Sequence, residues 1–436
     1  MTSHYIAEYE KTADLLPGQS IAWLKALRAD ALTHFSENGF PSLREEEWRY
    51  TNVSAIEKKL FLPQLTAQTA ETDDAFFNDY RLEGALTVVL INGRYSKQHS
   101  SLEGLDEDIS VLSMTDALAQ NPDLIEQYLS KAVSIEEHSF VAFNAAWFSD
   151  GLFIHIPAKK VVDKPIQLLH VVTQGDCLST IRNILVVDEM AEVNVIETFV
   201  GVDNAYLTAS VTEVFVAQNA CLTLHKMQIE GDKAYHFGGT YVKQARNARF
   251  NHHNFAFGGL LARNDMHTDL DTASECDLNG LYLGIKRQHI DNHTRINHLK
   301  PHAISRELYK GVLNQRSRGV FQGMVYVAED AQKTDSAMNN RNLLLSNDAE
   351  ADTKPQLEIY ADDVKCAHGV TVGQLEEKSI FYLQARCIDE ETARNMLTFA
   401  FANEMVDKVK LDGLREKLLE QLLKRFPQVS VDKAWL

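Results

Sequence analysis

The chain has 436 residues, of which 45% are hydrophobic and 24% charged, an ordinary globular composition that excludes wholesale disorder. Its 61 acidic residues outnumber its 43 basic ones, and the net charge of −18 makes nucleic acid and anionic membrane surfaces unfavourable partners. Five cysteines without a C-x-x-C pair, a charged N-terminus and no apolar run near the roughly 20 residues of a spanning helix favour a cytoplasmic protein without disulfides.

The first third of the chain, residues 1–149, is predicted to be mostly helical. Apolar residues three and four positions apart predict a helix over 20–35, and similar spacing predicts helical segments over 115–133 and 140–147. A short β segment over Leu86–Ile91 ends at Asn92-Gly93, a dipeptide typical of hairpin turns.

The central part, residues 150–372, changes to short β-rich runs separated by Gly, Asn and Asp. A weak repeat of the form small-x-apolar-x-apolar begins at Ala191, Ala220, Ala248 and Ser274, at spacings of 29, 28 and 26 residues. Alternation of period two inside a nearly constant longer period favours a stacked β-solenoid. An evenly spaced β-sandwich is the alternative.

Helices are predicted again over 373–436. Leucines from Leu411 to Leu423, followed by Phe426, recur mostly at three- and four-residue steps and predict an amphipathic helix that ends before Pro427. On composition alone, packing of this helix on its own domain is favoured over partner binding.

Several common catalytic motifs are missing from the sequence. It has no G-x-x-x-x-G-K-[ST], no H-E-x-x-H and no G-x-S-x-G. Seven histidines are clustered in the β-rich part, and imidazole is a good ligand for iron or zinc. On a solenoid, however, such residues fall on different faces and coils, so structural roles are favoured for His252, His253, His267, His289, His293, His298 and His302.

The most specific short motif is Lys365-Cys366-Ala367-His368-Gly369. In an extended chain Cys366 and His368 point to the same side, where they suit a metal such as iron or form an activated thiol. Two ligands do not complete a metal site, so the others must come from elsewhere in the chain or from another chain. Three acidic residues just upstream are candidates to hold the imidazole or attract a cation: Glu358, Asp362 and Asp363.

The region around this motif resembles the SufB/SufD family of iron–sulfur cluster assembly proteins. The segments that carry the resemblance are SRGVFQG (317–323), AQKTD (331–335), NLLLS (342–346), PQLEIYADDVKCAHG (355–369) and TVGQL (371–375). It extends to EEWRYT (46–51) and to FNAA followed by Asp150-Gly151. The SufD branch is favoured, because the chain lacks the additional cysteines and the Ser-Cys-Asp segment of SufB. Arg386-Cys387 departs from the Arg-Gly usual in the family.

The resemblance implies a right-handed parallel β-helix (150–372) between an N-terminal helical domain (1–149) and a C-terminal one (373–436). It implies a non-catalytic scaffold that pairs with SufB through the β-helix and binds the SufC ATPase through its C-terminal helices. Such a complex assembles nascent iron–sulfur clusters and passes them to apo-proteins. When isolated, the chain is a candidate homodimer.

The resemblance also implies site residues and cofactors. Cys366 and His368 would lie near the SufB interface, with His368 the better candidate ligand of a transient cluster shared with SufB. Reduced flavin, FADH2, is expected in the whole complex, without assigned residues on this chain. The alternatives are a β-helix carbohydrate-active enzyme and a purely structural adaptor in which Cys366 and His368 are packed side chains.

Overall fold

The computed structural model describes residues 3–65 and 74–425. The strands in these ranges are β1 (Leu62–Pro63), β2 (Leu86–Ile91), β3 (Arg94–Ser101), β4 (Ser110–Ser113), β5 (Leu152–Ile156), β6 (Ile166–Val172), β7 (Cys177–Val187), β8 (Glu192–Gly201), β9 (Leu207–Val216), β10 (Cys221–Gln228), β11 (Tyr235–Gln244), β12 (Arg249–Ala256), β13 (Leu261–Leu270), β14 (Glu275–Gly284), β15 (His289–His298), β16 (Ile304–Leu313), β17 (Arg318–Val327), β18 (Asp335–Leu344), β19 (Glu350–Ile359) and β20 (Lys365–Gly373).

The α-helices are α1 (Ser3–Thr12), α2 (Ala22–Asn38), α3 (Ser54–Lys58), α4 (Asp74–Asn78), α5 (Met114–Gln120), α6 (Pro122–Glu126), α7 (Ser139–Trp147), α8 (Glu377–Gln384), α9 (Glu390–Val406) and α10 (Asp412–Arg425). Short 3-10 helices lie at Ala13–Leu15 and Glu46–Trp48. Within the described ranges, no helix is both long and apolar enough to cross a membrane.

Strands β5 to β20 form a parallel β-helix of eight coils. Odd-numbered strands pair in one sheet, here sheet A, and even-numbered strands pair in the other, sheet B, so each coil contributes one strand to each sheet. This alternation of parallel strands confirms the predicted solenoid and excludes the antiparallel sandwich. The handedness stays a prediction.

The sequence repeat matches the register of the coils residue for residue. Glu192, Cys221, Arg249 and Glu275 follow the first residue of each copy and are directly paired across neighbouring strands. The apolar positions that follow are buried between the sheets, for example Val193, Leu222 and Phe250. The residue before each copy turns the chain with a positive φ between 55° and 60°: Met190, Asn219, Asn247 and Ala273.

The first third contains the predicted helices and more strand than expected. The helix predicted over 20–35 is α2, and Asn121 ends α5 and caps α6, with Pro122 at the first turn. The segment β2 and the turn at Asn92-Gly93, with φ of 51° and 82°, are confirmed. Strands β3 and β4 carry no hydrophobic alternation and were not predicted; they pair antiparallel with β2 and β5 and end the two sheets.

The N-terminal part covers the outer face of sheet A. Trp48, in the EEWRYT segment, stacks on Phe140 of α7, and the Arg263 guanidinium lies 3.6 Å from the Trp48 ring centroid. Nearby, the fully buried Arg182 and Glu213 form an ion pair at 2.7 Å. The interface is therefore an apolar layer with paired charges inside it.

The C-terminal helices α9 and α10 cover the outer face of sheet B. Leu414, Leu418 and Leu422 of α10 are buried in one cluster with Met227 and Phe255 of the sheet. The amphipathic helix thus packs on its own chain, as composition favoured. Phe426 and Pro427 lie outside the described residues.

Candidate functional site

Cys366 and His368 lie on β20, the last strand of sheet B. In the strand register, Cys366 is paired with Ser336 and His368 with Met338. Ser336 and Met338 are buried, and Met338 belongs to the core between the sheets. The two motif residues therefore extend two inward-facing columns of side chains, and they share one face as their spacing predicted.

This last coil is the open end of the β-helix. Within the described residues, β19 and β20 are hydrogen-bonded to other strands along one edge only, to β17 and β18. Cys366 is half-buried and His368 exposed. Four large apolar residues of this coil are 37–61% exposed: Ile359, Tyr360, Val370 and Val372.

The surroundings of Cys366 oppose thiol activation. Burial raises the pKa of the Cys366 thiol, and the charge of Asp335 raises it further, whereas a hydrogen bond from the Ser336 backbone lowers it. The net direction is upward, so the thiol stays protonated in the isolated chain. The hypothesis of an activated thiol is therefore not supported.

The acidic residues upstream do not hold the imidazole. Asp363 forms an ion pair with Lys333 across the coil turn, and Asp362 and Glu358 are exposed. Among the described residues, Cys366 and His368 do not belong to a group of three close ligand side chains. The site is half of a ligand set, and its remaining ligands would have to come from outside the described part of this chain.

The seven clustered histidines are spread over different surfaces. His252 and His298 belong to inward-facing columns, and burial lowers the pKa of His252 to about 3 and that of His298 to about 4. His253 stacks on His225, at 4.8 Å between ring centroids. His302 is exposed at a coil turn with φ of 67°. The remaining three lie on sheet A under or beside the N-terminal part: His267, His289 and His293.

Sequence reasoning missed Glu307, which lies in the same inward column as His368, two coils before it. Burial raises the pKa of its carboxyl to about 8. The signal was present in the sequence. Continued further, the repeat reads Ala303-Ile-Ser305-Arg-Glu307, then Thr334-Asp-Ser336-Ala-Met338, then Val364-Lys-Cys366-Ala-His368. Glu307 and His368 are thus polar residues in slots that earlier copies fill mainly with apolar ones.

Comparison with known families matches nearly the whole chain. Residues 1–168 match the SufBD protein N-terminal region, and residues 170–401 match the SufBD core domain of SUF-system iron–sulfur cluster assembly. The second match includes Cys366 and His368.

Curated relatives agree with this assignment. The iron–sulfur cluster assembly protein SufD of Escherichia coli is 32% identical over 91% of this chain and 92% of its own length. A SufBD family protein of Synechocystis is 30% identical over 87% of the chain and 86% of its own length. SufD of Bacillus subtilis is 25% identical over 92% and 93%. The chain belongs to the SufB/SufD family of iron–sulfur cluster assembly proteins and is a SufD homologue.

Proposed function

We propose that the chain is the non-catalytic scaffold subunit of a SufB–SufC–SufD complex, which assembles nascent iron–sulfur clusters and transfers them to apo-proteins. The observation that supports this most directly is the position of Cys366 and His368 on β20, whose outer edge pairs with no strand of the described residues. Two ligands on such an edge suit a cluster that is completed by a second chain and then released.

Pairing with SufB is supported by the outer edges of β19 and β20, which are free within the part of the chain that the structure describes. Their main-chain N–H and C=O groups can hydrogen-bond to the edge strands of a second β-helix, which extends both sheets across the interface. The exposed Ile359, Val370 and Val372 would then be covered. The same edges allow an isolated chain to pair with a second copy of itself.

His368 is the proposed cluster ligand, and Cys366 is its neighbour. A neutral imidazole binds iron with one lone pair, and it is a weaker ligand than a thiolate, which suits release of the cluster. The Cys366 thiol, whose pKa is raised, must lose its proton before it can bind iron. The cluster is the product of the assembly, and SufB would supply the other ligands. The expected flavin stays a prediction for the complex.

ATP hydrolysis is assigned to SufC, because the chain lacks a P-loop motif. The apolar faces of α9 and α10 are occupied by sheet B, so they are not the proposed SufC contact. Helix α8, which follows β20 closely, instead presents Phe381 and Tyr382 at 71% and 57% exposure. Two adjacent exposed aromatic residues are typical of a protein contact.

The test is anaerobic reconstitution of the complex with iron and sulfide, followed by cluster absorbance and transfer to an apo-protein. We expect His368→Asn to lower cluster yield while circular dichroism and association with SufB are unchanged. His302→Asn is the matched control, because it removes another exposed histidine of this β-helix. Cys366→Ser should be milder.

The structural adaptor makes the opposite prediction. If His368→Asn assembles and transfers clusters at the parental rate, His368 is not a ligand and the chain serves only to support SufB. Stoichiometric cluster on an isolated chain that lacks both Cys366 and His368 would also contradict the shared site.

A further inference from the structure

A second group of ligand side chains lies between the N-terminal part and sheet A. Glu137, His138 and His267 each bring one ligand atom within 4.8 Å of the other two, the sole such trio among the residues that the structure describes. We propose that these three side chains bind a divalent transition-metal ion of the Zn²⁺ or Fe²⁺ type. This site is separate from Cys366 and His368.

The two imidazoles are positioned by regular secondary structure, one by helix α7 and the other by strand β13. His138 directly precedes α7, and its carbonyl accepts hydrogen bonds from the N–H groups of Val141 and Ala142 at 3.0 and 3.1 Å. His267 lies on β13, paired with Tyr241 of β11 on one side. The ring centroids of His138 and His267 are 5.1 Å apart. The two ligands are therefore brought together by the docking of α7 on sheet A.

The side chains have the chemistry of metal ligands. His138 and His267 each offer an imidazole nitrogen to the trio, and a neutral imidazole nitrogen binds transition-metal ions through its lone pair. A carboxylate oxygen of Glu47 lies 3.7 Å from Nδ1 of His138, and outer carboxylates of this kind orient metal-binding imidazoles. Glu137 is exposed and adds a negative charge.

The geometry needs only a small adjustment. Metal bonds of about 2.1 Å in a tetrahedral site place ligand atoms about 3.4 Å apart. Rotation of the exposed Glu137 side chain, which gives up the 3.3 Å hydrogen bond that its Oε1 accepts from the Ser134 N–H, can shorten its separation from the two imidazoles. Two histidines and one carboxylate with an open position are typical of Zn²⁺ and non-haem Fe²⁺ sites.

A cavity beside Glu137 opens the trio to solvent on one side. It has a volume of about 340 Å³ and is lined by Glu137, Lys131, Lys243 and Asp269, among others. Water or a small anionic ligand can therefore reach a metal ion held by Glu137. Because His138 and His267 belong to different parts of the chain, a bound ion would also tie the N-terminal part to the β-helix.

The experiment uses the full chain with Cys366→Ser and His368→Asn as background, so that the open end cannot bind the ion. Calorimetric titration with Zn²⁺, and separately with Fe²⁺ without oxygen, identifies the preferred ion. We expect one equivalent to bind, and Glu137→Gln and His267→Gln to weaken binding by at least tenfold. Glu136→Gln is the matched control, since it removes the neighbouring exposed carboxylate.

Two further readouts make the result independent of folding defects. Bound Co²⁺ should show visible ligand-field bands without thiolate charge transfer, and Zn²⁺ should raise the melting temperature of the background chain but not of Glu137→Gln. Glu137→Gln is exposed and should melt like the background chain without metal. The proposal is wrong if the background chain binds neither ion, or if Glu136→Gln and Glu137→Gln bind it equally.

Discussion

The two ends of the β-helix are built in opposite ways. At the first coils, β2 and β5 are almost wholly buried, and the antiparallel strands β3 and β4 end the sheets. At the last coil, β19 and β20 are mostly half-buried or exposed. Within the described chain, the first end is closed by its own sequence, whereas the last presents free backbone groups beside His368. We therefore propose the last coil as the end at which a second chain completes both the fold and the cluster site.

The largest expected loss of stability comes from a substitution at the closed end. Gly151 directly precedes β5 with φ of 156°, and a Cβ there would lie 1.9 Å from the carbonyl oxygen of Arg182. We expect Gly151→Ala to lower the free energy of unfolding by about 3 kcal/mol or more, because backbone must move. Denaturant unfolding measures this.

Gly373 at the open end is the matched control. A Cβ there meets no atom within 4 Å, so Gly373→Ala should change stability by less than about 0.5 kcal/mol. Equal losses in both variants would show that the two ends are not as different as described.

A second prediction tests whether water is excluded from the interior of the β-helix at Glu307, two coils before the open end. The pKa of Glu307 is raised to about 8 from 4.5, so the native state keeps a proton that the unfolded state loses. Stability should therefore fall as pH rises from about 4.5 to about 8, by about 1.4 kcal/mol per pH unit from this group.

Glu307→Gln should remove this component of the pH dependence. The comparison is best made between pH 6.5 and 8, above the range where the buried neutral His252 costs stability. Unfolding curves of the two proteins across this range measure the difference. Parallel pH profiles would mean that water reaches Glu307 through the open end.

A third prediction tests the free edge. Val372 is 46% exposed on β20, and Val372→Lys places a charge where a second β-helix would pair. We expect association with SufB to weaken by at least about tenfold, or about 1.4 kcal/mol, with unchanged stability. Val161→Lys, at a valine that is 63% exposed elsewhere, is the control. Analytical ultracentrifugation distinguishes the two, and equal association would place the contact elsewhere.

The last prediction concerns α8, where the expected effect on stability is also small. Phe381 is 71% exposed, so Phe381→Ser should change the free energy of unfolding by less than about 0.5 kcal/mol while reducing co-purification of SufC. Leu418→Ala, in the buried face of α10, should cost about 2–5 kcal/mol. Full retention of SufC by the Phe381 variant would contradict the proposed contact.

Much of the fold could be predicted because the repeat that starts at Ala191 reports the coil register directly. Strand β3 could not, since its Ser, Lys, Gln and His side chains carry no apolar period and its place is set by pairing with β2. The spacing of Cys366 and His368 indicated that the two side chains share one face of a strand. It did not indicate that this strand is the last of its sheet, at the open end of the β-helix. Contact between His138 and His267 depends on the docking of α7, which short-range patterns do not reveal.

The register of the coils has a consequence for how the chain is made. Coils paired at intervals of 26 to 32 residues are each completed after about 1–6 s of synthesis at cellular rates. Hairpin-scale pairing takes microseconds, so every new coil has time to settle on the one before it. The newest coil of a growing chain then carries an unsatisfied edge in each of the two sheets, and these edges move forward with synthesis. Strands β19 and β20 form the last coil of the described β-helix, and in the proposed complex the edge strands of SufB occupy the position that a further coil would have taken.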